Sequence, residues 1–492
     1  MSQLLSEADL AGALGAWTLR SGPLYARLAD AIADAVAQGG LEPDARLPAE
    51  RPLADRLGVS RGTVVAAYAA LADRGVVTRR QGSGTTVAAS PRAEGVRHHR
   101  YADFNRVVAG PLVPIDLALG APPLDDLLDG LSAGLADAVA AGAAAHGYVP
   151  LGLPGLRTGV AELLTRRGVP TEPEEILITA GAQGAIQLIT SALVRRGDRV
   201  VVESPTYPGA LEVLSRAGAA VVGVPRDHAG MRPEAFARAL GDPVPALALV
   251  VPTCHNPTGT VMDERRRREL LAEAGRRDVL VVEDLTLADL TFTGDAPPPL
   301  VAMRREGVIA IGSFSKVLWG GLRTGWIRAD RATILRLGRL KAAQDLGSGL
   351  LDQAAVLAAL PRLDEYIAAR RHMLTERHAV LREALAGRLP EWETTRARGG
   401  YSLWVRLPGA SGDELTAAAL RYGVAIASGA ANALDDLFLD HVRLCFAAPE
   451  AMLEEAVERL VPAWREVAAG GSAARLGRTG VARAAEGVPV LA

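Results

Sequence analysis

From about Ile115 to Ala468, short β-branched runs alternate with stretches of helical periodicity. No other feature of the chain restricts its fold so far. Strands separated by helix-length connections pair in parallel, and a parallel sheet has to be covered on both faces. Four of the runs end in chemically loaded residues. Arg199–Val202 leads into ESPTY and Tyr207, and Ala246–Val251 into CHNPTG and Asn256. Val279–Val282 leads into Glu283-Asp284, and Val308–Ile311 into GSFSK and Lys316. Ligands of open parallel sheets bind outside the carboxyl ends of the strands. The four sets therefore converge on one crevice.

The chemistry of that crevice follows from the residue types. A lysine amine forms a Schiff base with an aldehyde. A buried aspartate holds a pyridinium nitrogen protonated, an asparagine can hydrogen-bond a phenolate oxygen, and a tyrosine ring can stack on a flat heterocycle. A phosphate needs backbone N–H groups at a helix N-terminus together with cations or hydroxyls. Gly181-Ala182-Gln183, opening a helix after the run Ile176–Thr179, supply the first, and Ser313, Ser315 and Arg323 the second. Together they describe a pocket for pyridoxal 5′-phosphate (PLP). Singly each is ambiguous: NPTG can be a plain turn, an Asp after a strand a helix cap, and a Tyr after Pro-Thr a packing residue. Lys316 gains weight from composition. Of 54 Lys and Arg, only Lys316 and Lys341 are Lys, so plain positive charge is carried by Arg. Lys341 has no motif around it.

A second, separate pattern lies upstream. Leu24, Leu28, Ile32 and Val36 recur at helical spacing. Glu50–Leu57 reads as a short helix ended by Gly58, and Ser60 as the cap of a second helix with core face Val64, Ala67, Tyr68 and Leu71. This is a helix-turn-helix. Its second helix would enter the major groove at Arg61 and Thr63. Val76-Val77 and Thr85–Val87 then form two strands whose tip, Arg79-Arg80-Gln81-Gly82-Ser83-Gly84, is a basic wing. Seven Arg against three acids between Arg46 and Arg80 give this region a net +4, although the whole chain carries −2. The nucleic-acid surface is thus local.

The stretch Pro23–Val87, through LPAERPLADRLGVSRGTV and RRQGSGTTV, resembles the GntR-type winged helix. By that resemblance Arg51 and Arg61 contact DNA and the Gly82 wing approaches the minor groove; with Ser60, Thr63, Arg79 and Arg80 from the helix-turn-helix and wing they make up the expected DNA-binding set. Val65 stands where some relatives carry a third contacting Arg. Ile115–Ala468, through YVPLGLPGLR, TAGAQGAIQL, ESPTYPGA, HNPTG, VVED, GSFSKVLWGGLRTGW and VRLCFA, resembles fold type I aminotransferases. The order of the two resembles the regulatory MocR family. By that resemblance Lys316 carries PLP, Asp284 meets the pyridine nitrogen, Asn256 the ring hydroxyl, and Tyr207 stacks on the ring. Arg323 and Ser313 bind phosphate with the Ala182 and Gln183 backbone, and Tyr148 reaches the phosphate of a partner subunit in a homodimer. Arg443 grips the carboxylate of an amino-acid effector. One departure accompanies this: Thr286 stands where relatives place a Tyr shortly after the ring-binding Asp.

The expected organisation is an N-terminal segment 1–22, a winged helix-turn-helix 23–88, a linker 89–114, an α/β aminotransferase-like domain 115–468 with large and small lobes, and a disordered tail 469–492. Cys254 and Cys445 are the only cysteines and show no CxxC spacing; with His98-His99 in the linker, neither a disulfide framework nor a metal site is expected. MSQLLSEADL lacks the features of a secretion signal, and Ile176–Val194 reads as strand end, turn and helix rather than a membrane span, so a cytoplasmic protein is expected. Three functions compete: a PLP-dependent regulator of double-stranded promoter DNA that senses an amine, an amino acid or PLP; a working aminotransferase with an accessory DNA-binding domain; and a PLP-binding module without specific DNA recognition. The basic wing favours the first.

Overall fold

In the winged-helix region, helix α1 (Leu24–Ala37) buries Leu28, Ala29, Ala31, Ile32 and Ala35 and packs on α3 (Arg61–Asp73). Leu24, the first of the four apolar residues at helical spacing, is 40% exposed at the helix start. Between them α2 (Glu50–Leu57) ends at Gly58, whose φ of 64° is one that glycine adopts without strain. Ser60 Oγ accepts the Thr63 N–H at 3.1 Å and so caps α3. Val64, Ala67, Tyr68 and Leu71 are buried, and the Tyr68 hydroxyl donates to the Pro48 carbonyl at 2.9 Å. Strand β1 (Val77–Arg80) pairs antiparallel with β2 (Gly84–Val87), so Arg79 and Arg80 lie within a strand rather than in the loop beyond it. Leu10, Leu14 and Trp17 are also buried in this core. Their i, i+4, i+7 spacing marks a helical face within the expected N-terminal segment 1–22.

The computed structural model describes residues 10, 14, 17, 23–37, 41, 45–73, 76–80, 84–87, 113–122, 147–434 and 437–475. Contacts divide the chain into two units, Met1–His98 and His99–Ala492. Gly82, most of the linker and residues 476–492 lie outside the described residues.

The second unit is built on an eight-stranded sheet in the order β4-β11-β10-β9-β8-β5-β6-β7. The strands are β4 (Ile176–Thr179), β5 (Arg199–Ser204), β6 (Ala220–Asp227), β7 (Gly230–Met231), β8 (Leu247–Val250), β9 (Leu280–Asp284), β10 (Val308–Ser313) and β11 (Gly325–Arg328). Neighbours from β10 through β6 are parallel; β11 runs against both β10 and β4, and β7 against β6. The carboxyl ends of β4, β5, β8, β9 and β10 thus share one edge. Alternate residues of the same strands serve two cores: Val201, Ala248, Val250, Val281 and Ala310 on one face, Val200, Val202, Leu247, Leu249, Val282 and Ile311 on the other. Burial on both faces explains the near-continuous apolar runs.

Beyond the sheet, β3 (Ile115–Asp116) pairs in parallel with β14 (Val424–Ala425). A small antiparallel sheet has the order β12-β13-β16-β15, formed by β12 (Glu393–Thr394), β13 (Ser402–Arg406), β16 (His441–Cys445) and β15 (Ala427–Ser428). The C-terminal helix covers Glu450–Arg475. It therefore overruns the expected boundary at Ala468: extending a formed helix needs no new nucleus, which carries it past the poor helix formers Gly470 and Gly471 to Ala473, Ala474 and Arg475.

Candidate functional site

Strand ends deliver Asp284 and Lys316. Asp284 is the last residue of β9 and is buried; its Oδ1 accepts the Thr286 N–H at 2.8 Å. Burial raises its pKa, against the Thr286 hydrogen bonds and the positive charge of Lys316. Lys316 follows β10 in a short 3₁₀ turn. Burial pushes its ammonium down to about 8; Cys445 opposes that shift, Arg443 and Arg323 reinforce it, and Asp284 opposes it. An amine with that pKa is substantially neutral, hence nucleophilic, near pH 8. Lys316, Asp284, Arg443 and Arg323 are therefore within electrostatic reach of one another.

Lys316 Nζ donates to the Gly120 carbonyl at 2.6 Å, and the Tyr401 hydroxyl donates to the Lys316 carbonyl at 2.6 Å. Arg443, 7% exposed on β16, donates to Asn256 Oδ1 at 3.2 Å and to the Ala118 carbonyl at 2.8 Å. The sheet-edge turn carrying Asn256 and the small lobe carrying Arg443 so meet directly. The Ile115–Gly120 segment lies against both lobes' functional residues, since the Cys445 N–H also donates to the Leu117 carbonyl at 2.6 Å.

Next to these lies a cradle lined by hydroxyls and amides. Ser313 Oγ donates to Ser315 Oγ at 3.0 Å and accepts the Ser315 N–H at 3.2 Å. Arg323, at φ 41°, donates to the Ala180 carbonyl at 3.1 Å. That non-glycine left-handed conformation is a strained one, of the kind that clusters at functional sites. The guanidinium lies so close over Gly181 that a Cβ there would stand 2.9 Å from Nη2. Helix α4 (Gly181–Leu193) starts here with no side-chain cap and no acid in its first turn, so its leading amides are open to an anion. Gln183 donates to the Gly209 carbonyl at 3.1 Å, which ties α4 to the turn after Tyr207. A Cβ on Gly209 would lie 2.4 Å from the Tyr207 ring and 2.5 Å from Gln183 Oε1, so only glycine lets that ring sit where it does.

Charges and hydrogen bonds thus link Lys316, Asp284, Arg323, Arg443 and Asn256, while Ser313 bonds to Ser315 and Gln183 to the Gly209 carbonyl. Tyr148 is set apart, 58% exposed. Beside it, Leu346 and Leu351 are 50% and 64% exposed, and Gly347 packs on the Val149 backbone. Sequence reading missed Tyr401, and Arg370, whose Nε and Nη2 reach the Val317 and Leu318 carbonyls at 3.3 and 3.5 Å. Both touch the Lys316 turn from far along the chain, and no local motif marks them. In the first unit Arg51, near the start of α2, and Ser60 and Arg61, at the α2–α3 junction, are exposed, and Thr63 in α3 is half-buried. Among the described residues no helix is long and apolar enough to cross a membrane.

The comparisons agree with this division. Residues 113–460 match the family model "Aminotransferase class I and II", and residues 24–87 match "Bacterial regulatory proteins, gntR family". The chain is similar to the uncharacterized HTH-type transcriptional regulator YisV of Bacillus subtilis, 31% identical over 78% of this chain and 84% of that one. It is also similar to the HTH-type pyridoxine biosynthesis transcriptional regulator PdxR of Corynebacterium glutamicum, 32% identical over 76% and 81%. Among solved structures, the α-aminoadipate aminotransferase LysN of Thermus thermophilus, complexed with N-(5′-phosphopyridoxyl)-L-leucine, aligns with a TM-score of 0.69. It shares 28% identity and covers 75% of this chain and 96% of its own.

Proposed function

The chain belongs to the MocR family of PLP-dependent transcription regulators, a gntR-type DNA-binding domain joined to an aminotransferase class I and II domain, and from that premise we propose how its residues divide the work. PLP, when bound, supplies an aldehyde for a primary amine and a ring that withdraws electron density. The residues present fit it: a depressed lysine amine, a buried carboxylate, an uncapped helix N-terminus beside Arg323, and a glycine that admits a stacked tyrosine.

Lys316 is the amine that holds the cofactor. Asp284 holds a proton at the ring nitrogen, a role its buried position favours. Asn256 meets the ring hydroxyl and Tyr207 the ring face. Ser313, Ser315, Arg323 and the Ala182 and Gln183 amides hold the phosphate. Arg443 takes the carboxylate of an amino-acid effector; its planar guanidinium suits that group. A carboxylate there competes with Asn256 Oδ1 and the Ala118 carbonyl, and so acts on the Ile115–Gly120 segment that follows the linker. Any resulting change in DNA affinity equals the effector's differential binding to the two arrangements. The partner in a homodimer is a second copy facing Tyr148, Leu346 and Leu351, with Tyr148 reaching the neighbour's phosphate. On DNA, Arg51, Arg61, Ser60 and Thr63 form the recognition face, and Arg79, Arg80 and Gly82 the wing.

The observation that carries this reading is the co-occurrence, in one chain, of the capped α2–α3 motif with a basic wing and the Lys316–Asp284–Arg443 set. That same set favours a second reading, a working aminotransferase. Incubating PLP-loaded protein with a panel of amino acids and a keto acid separates the two. Absence of turnover with an altered DNA affinity is expected; efficient turnover with unaltered DNA affinity supports the enzyme.

A further inference from the structure

Behind the Tyr207 and Asn256 turns lies a group of buried polar side chains to which neither cofactor nor effector binding gives a role. Glu203, on β5, is fully enclosed; its Oε2 accepts the Val251 N–H at 2.7 Å. Arg226, on the neighbouring strand β6, brings Nε to 3.5 Å from Glu203 Oε1, with the two side chains 4% and 0% exposed. His255, also fully enclosed, places Nε2 3.6 Å from Glu203 Oε2. Arg226 donates to the Thr258 hydroxyl, which lies 3.0 Å from His255 Nδ1 and 2.9 Å from Thr260 Oγ1. Burial, reinforced by Arg226, holds the His255 pKa well below its ordinary value, so the ring is neutral, and the Pro205 carbonyl acts on it as an acceptor. The Thr258 hydroxyl meets the ring at Nδ1, while Nε2 faces Glu203.

The cluster spans three adjacent strand ends, β6, β5 and β8. Its members alternate with the residues read as cofactor contacts: Glu203 and Pro205 precede Tyr207, and His255 and Thr258 flank Asn256. Buried ionic groups are a weak source of stability, because well-packed apolar residues of similar volume often do as well or better. Rigid hydrogen-bonded support for a ligand-contacting side chain is a better account of their presence.

We propose that Glu203, Arg226, His255 and Thr258 are positioning residues that lock the Tyr207 turn to the Asn256 turn and thereby fix the grip on the PLP ring. The proposal rests on the reading that Tyr207 and Asn256 face that ring.

The test uses the full-length protein, with PLP affinity, the absorbance maximum of bound PLP and the melting temperature as readouts. Thr258→Val keeps shape and removes the hub hydroxyl; it should weaken PLP binding on the order of tenfold and shift the absorbance maximum. Thr258→Ser should restore both. Glu203→Gln with Arg226→Met removes both charges together and leaves an amide oxygen to accept the Val251 N–H; it should melt close to wild type and still bind PLP weakly with a shifted band. A merely structural cluster predicts the opposite, wild-type affinity and spectrum once the charge-free pair is folded, and that result overturns the proposal. If the pair does not fold, Thr258→Val decides, and wild-type values for it overturn the proposal. Tyr207→Ala and Asn256→Ala serve as reference. If they leave affinity and band unchanged, the underlying reading of the ring site falls and takes this proposal with it. If they perturb both while the cluster variants do not, the proposal alone falls.

Discussion

The two functional regions of this chain are built on opposite principles. Before and at the α2–α3 junction Arg51, Ser60 and Arg61 are exposed, on a small unit whose core is made by other residues. At the sheet edge Asp284 and Arg443 are buried and Lys316 half-buried, and all three act on one another's charge. An exposed site of separate contacts should lose affinity in small, independent, salt-sensitive steps. A buried site of coupled groups should fail in large steps and respond to pH. Each prediction below can break that contrast.

The largest effect belongs to Lys316→Ala, which should abolish the absorbance band of bound PLP while the protein stays folded. Lys341→Ala should keep the band, because Lys341 is engaged with Asp345 at 2.6 Å. A band that survives in the first variant, or disappears in the second, reverses the assignment of the two lysines.

Second is pH. The neutral amine is the reactive form, and the Lys316 pKa lies at about 8 rather than at its ordinary 10.5. The rate of PLP uptake should therefore climb about tenfold per pH unit below that value and level off above it. An inflection above pH 10 in stopped-flow absorbance would mean that the amine is not shielded from water.

Third, Arg443→Ala should leave the PLP band intact and weaken the spectral response to carboxylate-bearing amino acids by about 1.5–3 kcal/mol, the worth of a charged hydrogen bond. Equal titration curves for variant and wild type would make Arg443 a structural link between Asn256 and the Ile115–Gly120 segment.

The smallest steps fall on the exposed face. Arg51→Ala and Arg61→Ala should each cost about 1–3 kcal/mol in DNA binding if they reach base edges, and flatten the salt dependence if they reach phosphates. Neither should alter the PLP band. Wild-type binding by both across a salt series would displace the recognition helix from this junction.

The contrast also explains what the sequence discloses. Strand ends such as Asp284 and Lys316 were legible because a parallel sheet forces its apolar runs to stop where ligands bind. The Ser60 cap and Gly58 turn were legible because capping is local. The Ala118 and Gly120 carbonyls, Tyr401 and Arg370 were not. Their partners lie far away in sequence, and a carbonyl has no residue type to announce it. The exposure of Leu24 was not legible either, because periodicity cannot say where a helix begins to be covered. The C-terminal helix reaches Arg475 because composition alone does not mark where propagation ends.

The most direct test of the central account joins the two regions in one titration. A duplex selected from random sequence by the PLP-loaded protein is held at constant salt. Its affinity is measured for wild type and for Lys316→Ala, with and without PLP and with each amino acid of a panel. The account predicts that PLP or one of the amino acids shifts wild-type affinity, while Lys316→Ala binds the duplex and ignores both. Identical affinities for both proteins under every condition would contradict it, leaving a DNA-binding unit and a PLP-binding unit that share a chain without sharing a function.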